Sequence, residues 1–92
     1  HTAGLSVHGF PGYLKTEAIP TLPQVLNGEK PANTGPVIVN ILPGTTFRYS
    51  GGGTTVAQLS IMDVLKKPFP QIMREELFDK LKLPYSTYAQ PL

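Results

Sequence analysis

Three consecutive glycines, Gly51, Gly52 and Gly53, constrain this chain more than any other feature of its sequence. Glycine reaches positive φ without steric cost and lets neighbouring backbone come close, but it gives up local helix and strand preference. The run stands between Phe47-Arg48-Tyr49-Ser50 and Thr54-Thr55, after which Val56, Leu59, Ile61, Val64 and Leu65 follow as apolar residues. The pattern predicts a glycine turn, then a cap at Thr54 or Thr55, then a helix over 54–66. Lys66 and Lys67 suit the negative end of its dipole, and Pro68 stops it. Tyr49 and Ser50 are thereby expected at a strand-to-helix corner, where a side chain can face a cleft.

Two familiar chemistries do not fit that corner. A phosphate-cradling loop ends in Gly-Lys-Ser/Thr, whereas Gly53 runs directly into Thr54 and Thr55. A nucleophile elbow around Ser50 needs glycine two residues earlier, where Arg48 stands. The plain reading is a glycine turn beside a packed tyrosine. The functional one is a Tyr-Ser-Gly contribution to a site whose other members lie elsewhere.

The remaining sequence reads as support for the corner. With 92 residues the chain has room for one small domain with a modest core, taken as a single unit over 1–92. Ten prolines and nine glycines favour long ordered loops, and the absence of cysteine removes disulfides and thiolate metal sites. Eight basic and six acidic residues, scattered along the chain, argue against nucleic acid as a partner. No apolar run reaches the ~18 residues of a membrane span. The chain opens on His1 without an initiator methionine or signal peptide, which suggests a piece of something longer. His1 and His8 lie in a glycine-containing loop with no acidic residue near, so no metal site is expected.

Thr21 with Gln24 matches a capping box, Pro23 suits a first turn and Gly28 a C-terminal stop, predicting a short helix over 21–27. Val37-Ile38-Val39-Asn40-Ile41-Leu42 reads as an extended segment or short strand. Phe69, Met73, Leu77 and Leu81 recur every four residues, widened by Ile72 and Phe78, and predict a third helix over 68–81 with Pro68 and Pro70 in its first turn. The tail over 83–92 reads as loop. The fold class is therefore mainly α, with about three helices, one short extended segment and long ordered loops.

His1-Thr2-Ala3-Gly4-Leu5, Gly9-Phe10-Pro11-Gly12-Tyr13, Pro43-Gly44 with Phe47-Arg48-Tyr49-Ser50-Gly51-Gly52-Gly53, and Ser86-Thr87-Tyr88 together resemble successive landmarks of the serine β-lactamase and penicillin-binding-protein superfamily. The similarity is to the branch with class C β-lactamases, D-alanyl-D-alanine carboxypeptidases and related esterases, and it spans nearly the whole chain. It implies the helical part of a β-lactamase-like α/β serine hydrolase, between the first and third catalytic motifs. Ser-x-x-Lys and Lys-Thr-Gly do not occur in the sequence, so the chain alone is expected to be inactive. By the same resemblance Tyr49 is the catalytic phenol of the Tyr-x-Asn motif, Ser50 and Gly51 lie on the substrate side, and no cofactor is needed. Gly51 stands where asparagine is usual, which favours peptidase or esterase chemistry over lactam hydrolysis.

The partners so implied are a peptide, ester or β-lactam substrate and the rest of the parent domain. The implied location is extracytoplasmic, periplasmic or secreted. The alternative is a non-catalytic binding or regulatory module on the same fold.

Overall fold

A computed structural model describes residues 1–90. The chain divides into two compact units, His1–Ala57 and a second that begins at Gln58, and the boundary falls inside a helix. The fold is mainly helical: α1 is Leu22–Asn27, α2 is Gly51–Leu65 and α3 is Phe69–Met73, which runs on into a π-helical turn over Arg74–Phe78. No helix among the described residues is long and apolar enough to cross a membrane.

The predicted first helix forms with its predicted ends. The Thr21 hydroxyl accepts from the Gln24 N–H at 3.4 Å, and Gln24 Oε1 accepts from the Thr21 N–H at 2.9 Å, so two otherwise orphaned donors are met reciprocally. Gly28 ends α1 in the left-handed region at φ 68°. The Glu29 N–H then reaches back to the Gln24 carbonyl at 2.9 Å, which closes the last turn.

The expected strand over 37–42 is reduced to one antiparallel bridge, Leu5 with Val39, the only β pairing among the described residues. Ser6 explains the interruption. Its hydroxyl donates to the Pro36 carbonyl at 3.0 Å and accepts from the Ile38 N–H at 2.8 Å, occupying backbone groups that a ladder would use. Gly4 lies at φ 71° on the same stretch, and its carbonyl accepts from the Asn40 N–H at 3.1 Å. A Cβ there would stand 2.0 Å from the Ile41 carbonyl oxygen, so only glycine fits.

In the second unit the expected helix over 68–81 gives way to α3 and the π turn. A strict four-residue repeat drifts by about 40° per step around an α-helix of 3.6 residues per turn. A wider turn offsets that drift: the Asp79 N–H bonds back five residues to the Arg74 carbonyl at 2.9 Å. Tyr88 packs against Phe69 at a ring separation of 5.2 Å, edge to face, and against Phe78 at 5.8 Å, stacked. The loop expected over 83–92 is irregular as far as residue 90; its last two residues lie outside the described part.

Candidate active site

The glycine triplet is helical, not a turn that precedes a helix. Gly51, Gly52 and Gly53 form the first turn of α2, three residues ahead of the expected start, and the cap is Ser50 in place of Thr54 or Thr55. The Ser50 hydroxyl accepts from the Gly53 N–H at 2.9 Å and donates to the Ser6 carbonyl at 2.6 Å. Each glycine costs about 1 kcal/mol against alanine inside a helix, so something must require them.

That requirement is close approach by loop 5–8 and Val37. A Cβ on Gly51 would lie 2.9 Å from the His8 carbonyl oxygen, and one on Gly52 would lie 2.7 Å from Val37 Cγ2 and 3.0 Å from the Ser6 carbonyl oxygen. The loop carbonyls also take up the donors of the helix start: the Gly51 N–H donates to His8 at 2.9 Å and the Gly52 N–H to Val7 at 3.1 Å. With Gly53 bonded to Ser50, the first three N–H groups of α2 are satisfied within the protein. The geometric reason against an anion cradle is thus independent of the missing lysine.

Arg48 fastens the same loop from the other direction. Its Nε donates to the Leu5 carbonyl at 2.9 Å, one terminal nitrogen donates to the Gly4 carbonyl at 2.7 Å and to Asn40 Oδ1, and its backbone N–H donates to the His1 carbonyl at 2.9 Å. A planar guanidinium meets several acceptors at once, which suits a loop rich in carbonyls that lack strand partners.

Between these two anchors stands Tyr49, with 48% of its surface exposed, whereas Ser50 retains 3%. The Tyr49 ring lies 4.5 Å from the His1 imidazole and 4.8 Å from that of His8, centroid to centroid. A cavity of about 400 Å³ is lined in part by His1, Thr2, Leu5, Arg48, Ser50 and Gly53; both chain neighbours of Tyr49 line it, but Tyr49 itself does not.

Of the three residues expected at the site, Tyr49 alone presents a reactive group to solvent. Ser50 contributes to the cavity wall, but its hydroxyl is committed to the cap and to the Ser6 carbonyl. Gly51 offers neither a side chain nor a free N–H. The structure adds Arg48, His1 and His8, whose importance rests on bonds to or from backbone, and such bonds leave no mark in residue spacing. Among the described residues no three His, Cys, Asp or Glu side chains gather as metal ligands would. Compared with family models, with curated proteins and with solved structures, the chain matches none.

Proposed function

We propose that this chain is part of a β-lactamase-related serine hydrolase that transfers an acyl group from a peptide, ester or lactam through an acyl-serine, with Tyr49 as the proton-relaying phenol. The observation that carries the reading is a half-exposed Tyr49 held between two tightly bonded neighbours, Arg48 and Ser50, each of which lines a cavity. Two of the family-like stretches are in direct contact, because Arg48 of one bonds to Gly4 and Leu5 of the other and Ser50 to His1. The proposed fold is correspondingly the helical part of a β-lactamase-like α/β domain. That the chain packs against more protein, as this reading requires, is supported by how little apolar surface is covered: Ala32 and Ile72 are buried, while Leu42, Phe47 and Val64 each keep 70% or more of their surface exposed.

In that scheme the acylated serine and its lysine, and the Lys-Thr-Gly strand, are supplied by the rest of the parent domain. A phenol with an ordinary value near 10 acts as a base at neutral pH only beside cations, and that lysine would be one. The second reading, a non-catalytic module on the same fold, is favoured by Gly51 standing where an amide side chain would hold a substrate carbonyl.

The test is acylation of the intact protein by fluorescent penicillin and hydrolysis of nitrocefin and p-nitrophenyl esters, with and without Tyr49→Phe. A loss on the order of 10²- to 10⁴-fold in Tyr49→Phe supports the relay. No turnover and no label in the intact protein would decide for the non-catalytic module.

A further inference from the structure

His1 is bonded to the chain on each side of Tyr49. Its carbonyl accepts from the Arg48 N–H at 2.9 Å, and its Nδ1 accepts from the Ser50 N–H at 3.2 Å. A ring nitrogen that accepts a backbone N–H ties the imidazole to the chain at Ser50. The ring meets Phe47 edge to face at 5.9 Å and lies against Tyr49 at an interplanar angle of 36°. The imidazole is thus tied to the backbone on both sides of the residue whose ring it touches.

We propose that His1 is a positioning residue for the Tyr49 phenol, an inference that rests on the proton-relay reading of Tyr49. A tyrosine side chain turns about two torsions, and a relay needs its oxygen within hydrogen-bond reach of both donor and acceptor. Contact with an imidazole anchored to residues 48 and 50 limits both torsions. His8 adds a second ring at 4.8 Å, and its carbonyl is tied to the Gly51 N–H. His1 touches no reacting atom in this scheme and acts only through Tyr49.

The experiment compares His1→Ala, His1→Asn, Tyr49→Phe and the double variant His1→Ala/Tyr49→Phe in the intact protein. It reads ester hydrolysis together with the aromatic NMR signals of Tyr49. His1→Ala is expected to lower kcat on the order of 10- to 100-fold with KM little changed, as a displaced catalytic group does. His1→Asn, whose amide oxygen can accept from the Ser50 N–H but which brings no ring to Tyr49, should recover only part of that loss. In the Tyr49→Phe background His1→Ala should have almost no further effect, because both changes remove one function.

Should His1→Ala fail to fold, His1→Phe, which keeps a ring but no acceptor, takes its place. A rate loss in Tyr49→Phe with none in His1→Ala, or losses that multiply in the double variant, overturns the positioning role and leaves the relay standing. If Tyr49→Phe is harmless in an active protein, the relay reading itself falls. Tyr49 ring signals unmoved by His1→Ala overturn the positioning contact whatever the activity.

Discussion

The Gly51 N–H donates to the carbonyl oxygen of His8 at 2.9 Å, and that same oxygen occupies the space a Gly51 side chain would need. One contact therefore both satisfies the helix start and forbids a Cβ there. The relation extends through the next residue, where Val7 accepts from Gly52 while Val37 and Ser6 crowd its α-carbon. In this protein the glycines allow proximity at the expense of helix propensity, and the loop they admit carries the His8 ring that lies against Tyr49.

Alanine scanning of the triplet separates these effects. At an unconstrained helix position glycine to alanine stabilises by about 1 kcal/mol. Gly52→Ala should instead destabilise by about 1–3 kcal/mol, since its Cβ would press on a stiff valine and on backbone. Gly53→Ala should be milder, because its one tight contact would be the end of the Leu5 side chain at 3.1 Å, with Ser50 at an ordinary 3.7 Å. Urea melts decide the matter, and stabilisation by Gly52→Ala would refute close approach as the reason for the glycines.

Much of the helical layout was legible from sequence, because it depends on neighbours in the chain. Thr21, Gln24 and Gly28 mark α1 through local capping, and Val56 to Leu65 mark the body of α2 through their apolar pattern. What was illegible depends on distant backbone. Nothing in the spacing of residues 37–42 reveals that Ser6, more than 30 residues earlier, bonds across Pro36 and Ile38. The same holds for the site. Tyr49 stands out as a phenol beside glycines, but Arg48 earns its place from the carbonyls of Gly4 and Leu5.

Ser50→Ala should cost about 1 kcal/mol, the usual penalty for a lost N-cap, with more if the Ser6 carbonyl stays unpaired. The loss should appear as a lower urea midpoint with an unchanged slope. Unaltered stability would mean that the cap is replaceable by the threonines that follow.

Arg48→Lys is not conservative at this position. An ammonium cannot span the Leu5 and Gly4 carbonyls and the Asn40 amide in one plane, so about 1.5–3 kcal/mol of charge-assisted hydrogen bonding is at risk. The measurable outcome is a reduced melting temperature together with faster amide exchange at Ser6 and Asn40, whose N–H groups bond within the pairing of these segments. Slow exchange retained at both amides would show that the loop holds itself without the guanidinium.

Lys67 and Glu75 form the ion pair most open to a pH test, at 2.6 Å. The hydrogen bond from Lys67, with a second from Gln71, holds the Glu75 carboxyl below the usual carboxylate range, and the same bond raises Lys67. A lowered acid contributes stability above its unfolded value, near 4.3, and loses it as pH falls through the folded value. A raised base contributes below its unfolded value, near 10.4, and loses it as pH rises through the folded one. The pair's contribution should thus be flat from about pH 5 to pH 10 and fade at both ends. Both groups face solvent, so the effect is small and screened by salt. Melting temperatures of the protein and of Glu75→Gln should differ slightly at neutral pH and low salt, and converge as pH falls through the lowered folded value of Glu75 or in 1 M salt. A difference that persisted once Glu75 is fully protonated would have to come from the Gln71 contact at 2.7 Å, which Glu75→Gln can retain only with its amide oxygen turned toward Gln71.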